Sequence, residues 1–245
     1  DGKDNKTYRF AFASLADSTD ANGRIVFALK GATAVTQSNG SVFEYTGNAN
    51  LVLDNRQIEL ASVANPTNGH QIRRTGAGTL TVNTDLLVST AVAQTLALKG
   101  ANTTGNNTFA GKIVNGSGTV SLLKGDAGLW ILSGANTYTG TTTISGGTLS
   151  INSIQNAGSA TANALGTPAV GANSIIALAA TGTLKYTGTG NSSDRVINLA
   201  TAAGGAFTLD ANGPSGTFAL TGGVTTAGTS NISTLALTGS VLGSE

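Results

Sequence analysis

The chain has 245 residues, among them 34 Gly, one Trp, one His and neither Cys nor Met. Charged residues make up only 10%, and a formal charge of +1 supplies no field to gather a polyanion, so nucleic acid is not expected as a partner. The lack of Cys removes disulfide frameworks and thiolate metal sites, and no apolar run is long enough to cross a membrane as a helix. The absence of Met fits a processed or excised segment of a longer precursor.

The first 24 residues differ from the rest: they carry Asp1, Lys3, Asp4, Lys6, Arg9, Asp17, Asp20 and Arg24 around the alternating run Tyr8-Arg9-Phe10-Ala11-Phe12. That run predicts a strand with its aromatic residues on one face. Residues 1–24 are therefore expected to be an end piece, either a cap folded onto its own chain or a strand donated to a neighbour. Tyr8, Arg9, Phe10 and Phe12 would make the contact.

From residue 25 to 245 the text settles into short strands. Ile25-Val26-Phe27-Ala28-Leu29, Ser41-Val42-Phe43-Glu44-Tyr45, Leu51-Val52-Leu53 and Gln57-Ile58-Glu59-Leu60 are apolar or alternating runs separated by turn residues such as Ser38-Asn39-Gly40. A phrase of glycine followed by alternating apolar positions, Gly-x-Φ-x-Φ, then recurs. It stands at Gly78-Thr79-Leu80-Thr81-Val82, Gly118-Thr119-Val120-Ser121-Leu122, Gly147-Thr148-Leu149-Ser150-Ile151, Gly182-Thr183-Leu184-Lys185-Tyr186 and Gly216-Thr217-Phe218-Ala219-Leu220, with a looser copy at Gly128-Leu129-Trp130-Ile131-Leu132. A unit this short cannot bury an apolar face alone, so copies must stack. The expectation is an all-β parallel β-helix of about 20 to 25 residues per coil, on the order of ten coils and roughly 50 Å long. Leu80, Val82, Val120, Leu122, Leu129, Ile131, Leu149 and Ile151 are the expected inward rows. Residues 155–165 read weakly as a short helix or a loop, and Pro66, Pro168 and Pro214 fall between strands, where no ladder bond is lost.

A longer phrase overlies the first. Leu98-Lys99-Gly100-Ala101-Asn102-Thr103 returns as Leu132-Ser133-Gly134-Ala135-Asn136-Thr137, and Asn107-Thr108-Phe109-Ala110-Gly111 as Asn136-Thr137-Tyr138-Thr139-Gly140. The stretch from Lys124-Gly125-Asp126-Ala127-Gly128-Leu129-Trp130 through Asn136-Thr137-Tyr138-Thr139-Gly140 to Ser145-Gly146-Gly147-Thr148-Leu149 resembles the passenger-associated transport repeat, also called the autotransporter-associated β-strand repeat. Diverged versions extend over residues 71–151 and 182–242. The resemblance implies a right-handed parallel β-helix, exported across a bacterial outer membrane and displayed on the cell or released, in a family that includes adhesins. Nothing in the chain resembles the membrane barrel that usually ends such precursors. The chain is thus expected to be a fragment of a larger passenger, or a subunit that assembles with its own copies.

Signatures of catalysis are missing. The lone His70 has no nucleophile elbow to serve and reads as a loop residue. Asp54, Glu59, Asp85, Asp126, Asp194 and Asp210 are scattered and read as corner residues, so no enzyme activity, cofactor or metal site is expected. Trp130 and Tyr138 could stack on a sugar ring but read better as packed aromatics, although alternation with Leu129 and Ile131 would let Trp130 face out. Asn102 and Asn136 suggest asparagines that bond corner backbone between coils. Thr141-Thr142-Thr143 are consecutive and so form no row of threonines along the rod.

The leading expectation is a non-enzymatic extracellular β-solenoid, a spacer or a fibre or surface-layer subunit that associates end to end. The alternative is an autotransporter-type adhesin that binds host-cell or matrix glycans or other cells. A polysaccharide-cleaving enzyme is a distant third.

Overall fold

The structure is a computed structural model and describes residues 9–11, 25–27, 40–62, 65–200, 205–226 and 234–239. Tyr8 and Phe12 lie outside the described residues. Every pairing between named strands is parallel, and the strands stack into long ladders. The nine-stranded sheet runs Arg9–Ala11, Val42–Tyr45, His70–Arg74, Gln94–Lys99, Val120–Lys124, Thr142–Ile144, Ile176–Leu178, Ile197–Leu199, Val224–Thr226. The eight-stranded sheet runs Leu51–Leu53, Leu80–Val82, Asn107–Phe109, Leu129–Leu132, Thr148–Ile151, Thr183–Tyr186, Ala206–Ala211, Thr234–Gly239. A third side is paired in pieces, Ile25–Phe27 with Ile58–Leu60 and Leu87–Val88, and Asn191–Ser193 with Phe218–Leu220. This is a parallel β-helix. Nine strands stacked at about 4.8 Å give roughly 40 Å of rod.

Parallel pairing in register makes each coil repeat the side-chain directions of the coil before it, so like residues pile into rows. One inward row runs Leu53, Val82, Phe109, Leu132, Ile151, Tyr186, all at most 2% exposed. Another runs Phe43, Ile72, Leu98, Lys124, Ile144, Leu178, Leu199. Each leucine or isoleucine so buried contributes about 1.5 to 3 kcal/mol. Leu80, Val82, Val120, Leu122, Leu149 and Ile151 are all buried.

Leu129 and Ile131 require a correction. In the strand Leu129–Leu132 they point outward and are half-buried, while Trp130 and Leu132 enter the core. The register explains it: Trp130 pairs with Leu149 and Leu132 with Ile151, so an inward Leu129 would have to stack on the outward Thr148. The glycine frame carries the same answer, since Gly128 sets Trp130 and Leu132, not their neighbours, in the apolar places. The Trp130 indole N–H donates to the Lys99 carbonyl at 3.0 Å, which satisfies the one polar atom of the ring.

Corner glycines act through close approach as well as through φ. A Cβ on Gly78 would overlap the Ala49 carbonyl of the previous coil, and Gly147 has φ +59° with the Gly128 carbonyl where its side chain would go. Residues 155–165 contain no helix. The helical turn among the described residues is the short 3-10 segment Ala172–Ser174. No helix among the described residues is long and apolar enough to cross a membrane.

Candidate functional site

The coils differ in sequence but share a need: backbone groups at corners lie inside the rod, where an unpaired N–H or C=O costs about 1 to 3 kcal/mol. Asparagine meets it because one side chain holds a donor and an acceptor. Asn136 accepts from the Ile113 N–H of one neighbouring coil at 2.8 Å and donates to the Ala164 carbonyl of the next at 2.8 Å. Asn107 does the same between Leu80 N–H and the Leu129 carbonyl. Asn102 reaches only the Gly78 and Ala77 carbonyls, and turns its oxygen to its own loop at Thr104 and Gly105. The structural counterpart of Asn136 is therefore Asn107, and their shared Asn-Thr-aromatic phrase is the signal that identifies it.

Buried cations meet the same need. Lys124, in line with the inward Val120 and Leu122, donates to the Gly125, Asp126 and Gly146 carbonyls at 2.6, 3.0 and 2.9 Å. Burial pushes its amine down to about 8, with Asp126 opposing the shift. The Arg74 guanidinium bonds the Tyr45 and Gly47 carbonyls and lies 4.6 Å from the Tyr45 ring centre. Arg195 bonds the Ser174 carbonyl through Nε and the Leu165 carbonyl through Nη1. Burial lowers its pKa, against the opposing pull of Tyr138 and Asp194. Sequence reasoning passed over all three, although the alternation Val120, Leu122, Lys124 already points Lys124 inward.

His70 is not a loop residue. It opens the strand His70–Arg74, is fully buried in the row of Leu96 and accepts the Ser41 N–H on Nδ1 at 3.2 Å. Burial pushes its pKa down to about 4, against an opposing hydrogen-bond interaction with Gln94, so at neutral pH the imidazole is uncharged and Nδ1 carries the lone pair that accepts the Ser41 N–H. The carboxylates tie coil to coil: Asp85 accepts Lys112 N–H, Asp194 accepts Ala157 N–H, and Asp126 accepts Gly100 N–H and pairs with Arg73 at 3.1 Å. Among the described residues no three or more His, Asp or Glu gather where a metal ion could sit.

On the outward-pointing side of the eight-stranded sheet, half-buried Thr148, Thr183 and Thr208 stack in one row, beside the buried Ser150 and the half-buried Lys185 and Asp210 in the next. Lys185 and Asp210 pair across coils at 3.3 Å. At the C-terminal end the burial fades: Val224 is 48% and Leu237 62% exposed, each in a strand that closes its sheet's order. At the other end Arg9 and Phe10 lie in register with Val42 and Phe43 of the same chain.

Residues 113–151 match the family described as the passenger-associated-transport-repeat. The chain carries a passenger-associated transport repeat. The matched stretch holds Trp130, Asn136, Tyr138 and Leu149, the residues that fill and staple the central coils. The repeat puts the chain on the cell surface or outside the cell. Over 233 residues the chain is 34% identical to a protein of Brucella suis biovar 1 (strain 1330) named Adhesin BmaC autotransporter. That alignment takes in 92% of this chain and 6% of that protein, so the chain spans a small part of its relative's length. No solved structure matches the chain.

Proposed function

We propose that the chain is a stiff, non-enzymatic β-solenoid segment of a surface adhesin, a spacer that holds contact surfaces away from the cell. The observation that carries this reading is the unbroken parallel register, with filled rows and side-chain staples between successive coils. Such a ladder resists bending because every coil is bonded to both neighbours. The polar side chains inside the rod bond coil corners and so serve its stiffness. The relative's name supports the adhesin context, with host-cell or matrix glycans as candidate partners for the threonine-bearing faces.

A second reading, a fibre or surface-layer subunit that associates end to end, draws on the exposed Val224 and Leu237 at the C-terminal edge. In it residues 1–24 form the complementary end, and the pairing of Arg9–Ala11 with Val42–Glu44 supports a cap within the chain. Negative-stain electron microscopy over a range of concentration and ionic strength separates the two. Uniform short rods support the spacer, filaments with an axial repeat of one subunit support the fibre, and compact particles of no fixed axis overturn both. Deleting residues 1–24 abolishes filaments if that segment joins subunits and spares them if it is a cap.

A further inference from the structure

One coil carries far more chain than its neighbours. In the eight-stranded sheet Trp130 pairs with Leu149, 19 positions on, and Leu184 with Leu209, 25 on, but Leu149 pairs with Leu184, 35 on. The surplus lies in residues 152–175, between the strands Thr148–Ile151 and Ile176–Leu178.

This insertion is not a slack loop. Its limbs are rooted by Ile154, Ala164 and Leu165, all fully buried, and Asn163 makes two backbone bonds with Asn136 in the one antiparallel bridge among the described residues. Arg195 grips it from inside at Leu165 and Ser174, and Asp194 holds Ala157 N–H at 2.7 Å. The limbs are joined to each other where Gly158 N–H donates to the Pro168 carbonyl at 2.8 Å. Asn163 fastens the turn between them through Thr161, Gly166 and Leu165.

Held open against the rod is a cleft of about 510 Å³, lined by Thr139, Ser159, Ala160, Thr167, Ala169 and Asn173. Val170 stands next to Ala169 with 79% of its surface exposed. A volume of that size suits a ligand of a few residues, and a cleft ordered before binding loses little entropy when it is filled. Its chemistry narrows the ligand. No charged side chain lines it, so neither a polyanion nor a cationic segment finds a partner. No aromatic ring lines it, so a pyranose has nothing to stack on. What remains is the hydroxyls of Thr139, Ser159 and Thr167, each with one hydrogen bond inside the chain and capacity for another, the Asn173 amide, and the small apolar Ala160 and Ala169, with Val170 nearby. That set matches an extended backbone whose amides bond the cleft while one small apolar side chain covers Val170.

We propose that the cleft of the 152–175 insertion binds an extended, uncharged peptide segment of a partner protein. The site deepens the surface reading above by naming a ligand class. Electron micrographs test the rod and peptide binding tests the cleft, so each can fail alone.

The experiment is selection of a random 12-residue phage-displayed peptide library on the purified chain, followed by anisotropy titration of the enriched peptides. An array of uncharged oligosaccharides is probed in parallel. Uncharged peptides should be enriched, Ala160→Trp should weaken them at least tenfold by filling the cleft, and Val170→Asp should weaken them several-fold. Both positions are at the surface, and an unchanged thermal midpoint confirms that each variant is folded. Should Ala160→Trp lower the midpoint, Val170→Asp alone decides. No enrichment, peptides that bind both variants as well as the native chain, enrichment of charged sequences, or oligosaccharide binding lost in Ala160→Trp would each overturn the proposal.

Discussion

The central coils and the C-terminal coil use the same residue types to different effect. In the middle, Leu132, Leu149 and Ile151 are fully buried; in Thr234–Gly239, Leu237 continues the row of Leu149, Leu184 and Leu209 yet is 62% exposed. The side chain and its direction are equivalent, and only the next coil is missing among the described residues. Burial in a stacked rod is therefore a property of the interface between coils, not of a residue's place in its own strand. Stability should accordingly fall from the centre toward that end.

The sharpest test of the comparison is truncation at matched positions. Trp130→Ala should cost about 3 to 5 kcal/mol in urea unfolding, because it empties the core and leaves the Lys99 carbonyl without its donor. If it costs no more than Leu237→Ala, the difference between the two regions has no energetic content.

A second test addresses the N-terminal coils. The folded pKa of His70 is lowered to about 4 from an ordinary 6.5, so the unfolded chain takes up the proton first. The stability associated with the neutral imidazole is complete above pH 6.5 and is lost as pH falls toward 4, a change of about 3 kcal/mol at 1.36 kcal/mol per unit. Denaturant midpoints taken between pH 7 and 4 should show that slope in the native chain and a flatter one in His70→Leu. Equal slopes would mean that the imidazole does not set the acid sensitivity.

The staples come next. Asn136→Ala should destabilise by about 1 to 3 kcal/mol, since it orphans the Ile113 N–H and the Ala164 carbonyl together. Hydrogen exchange at the Ile113 amide reads the effect locally, and protection that survives the substitution would show that another group takes over. The smallest effect belongs to the open end: Leu237→Ser should change stability by about 0.5 kcal/mol or less. A larger loss, measured in dilute solution, would mean that this end is already covered.

Much of the architecture was legible in the text. Recurring Gly-x-Φ-x-Φ is enough for stacked parallel coils, because a glycine that clears the neighbouring backbone and a period of two leave few other folds. The copies are irregularly spaced because they do not all stand on one side of the rod. Gly78, Gly128, Gly147 and Gly182 precede strands of the eight-stranded sheet, Gly118 one of the nine-stranded sheet and Gly216 one of the third side. The phrase marks a strand after a corner, whichever side that strand joins. Leu129 and Ile131 were misplaced since an all-apolar run has no internal phase, and it is the preceding Gly128 and the partner Thr148–Ile151 that decide which half turns inward. His70 and Arg195 were unreadable for a related reason: their burial depends on the chain packed over them, which lies 20 to 30 positions away.

The sequence by itself determined the all-β class, the stacked coils, the corner glycines and the repeat family, because these follow from short-range period and from the steric demands of single positions. The tertiary structure decided which side each strand joins, which of two alternating faces is core, where buried cations cap corner carbonyls and how residues 152–175 are braced around a cleft. Those outcomes rest on register between coils, and register is fixed by contacts that no single stretch of chain contains.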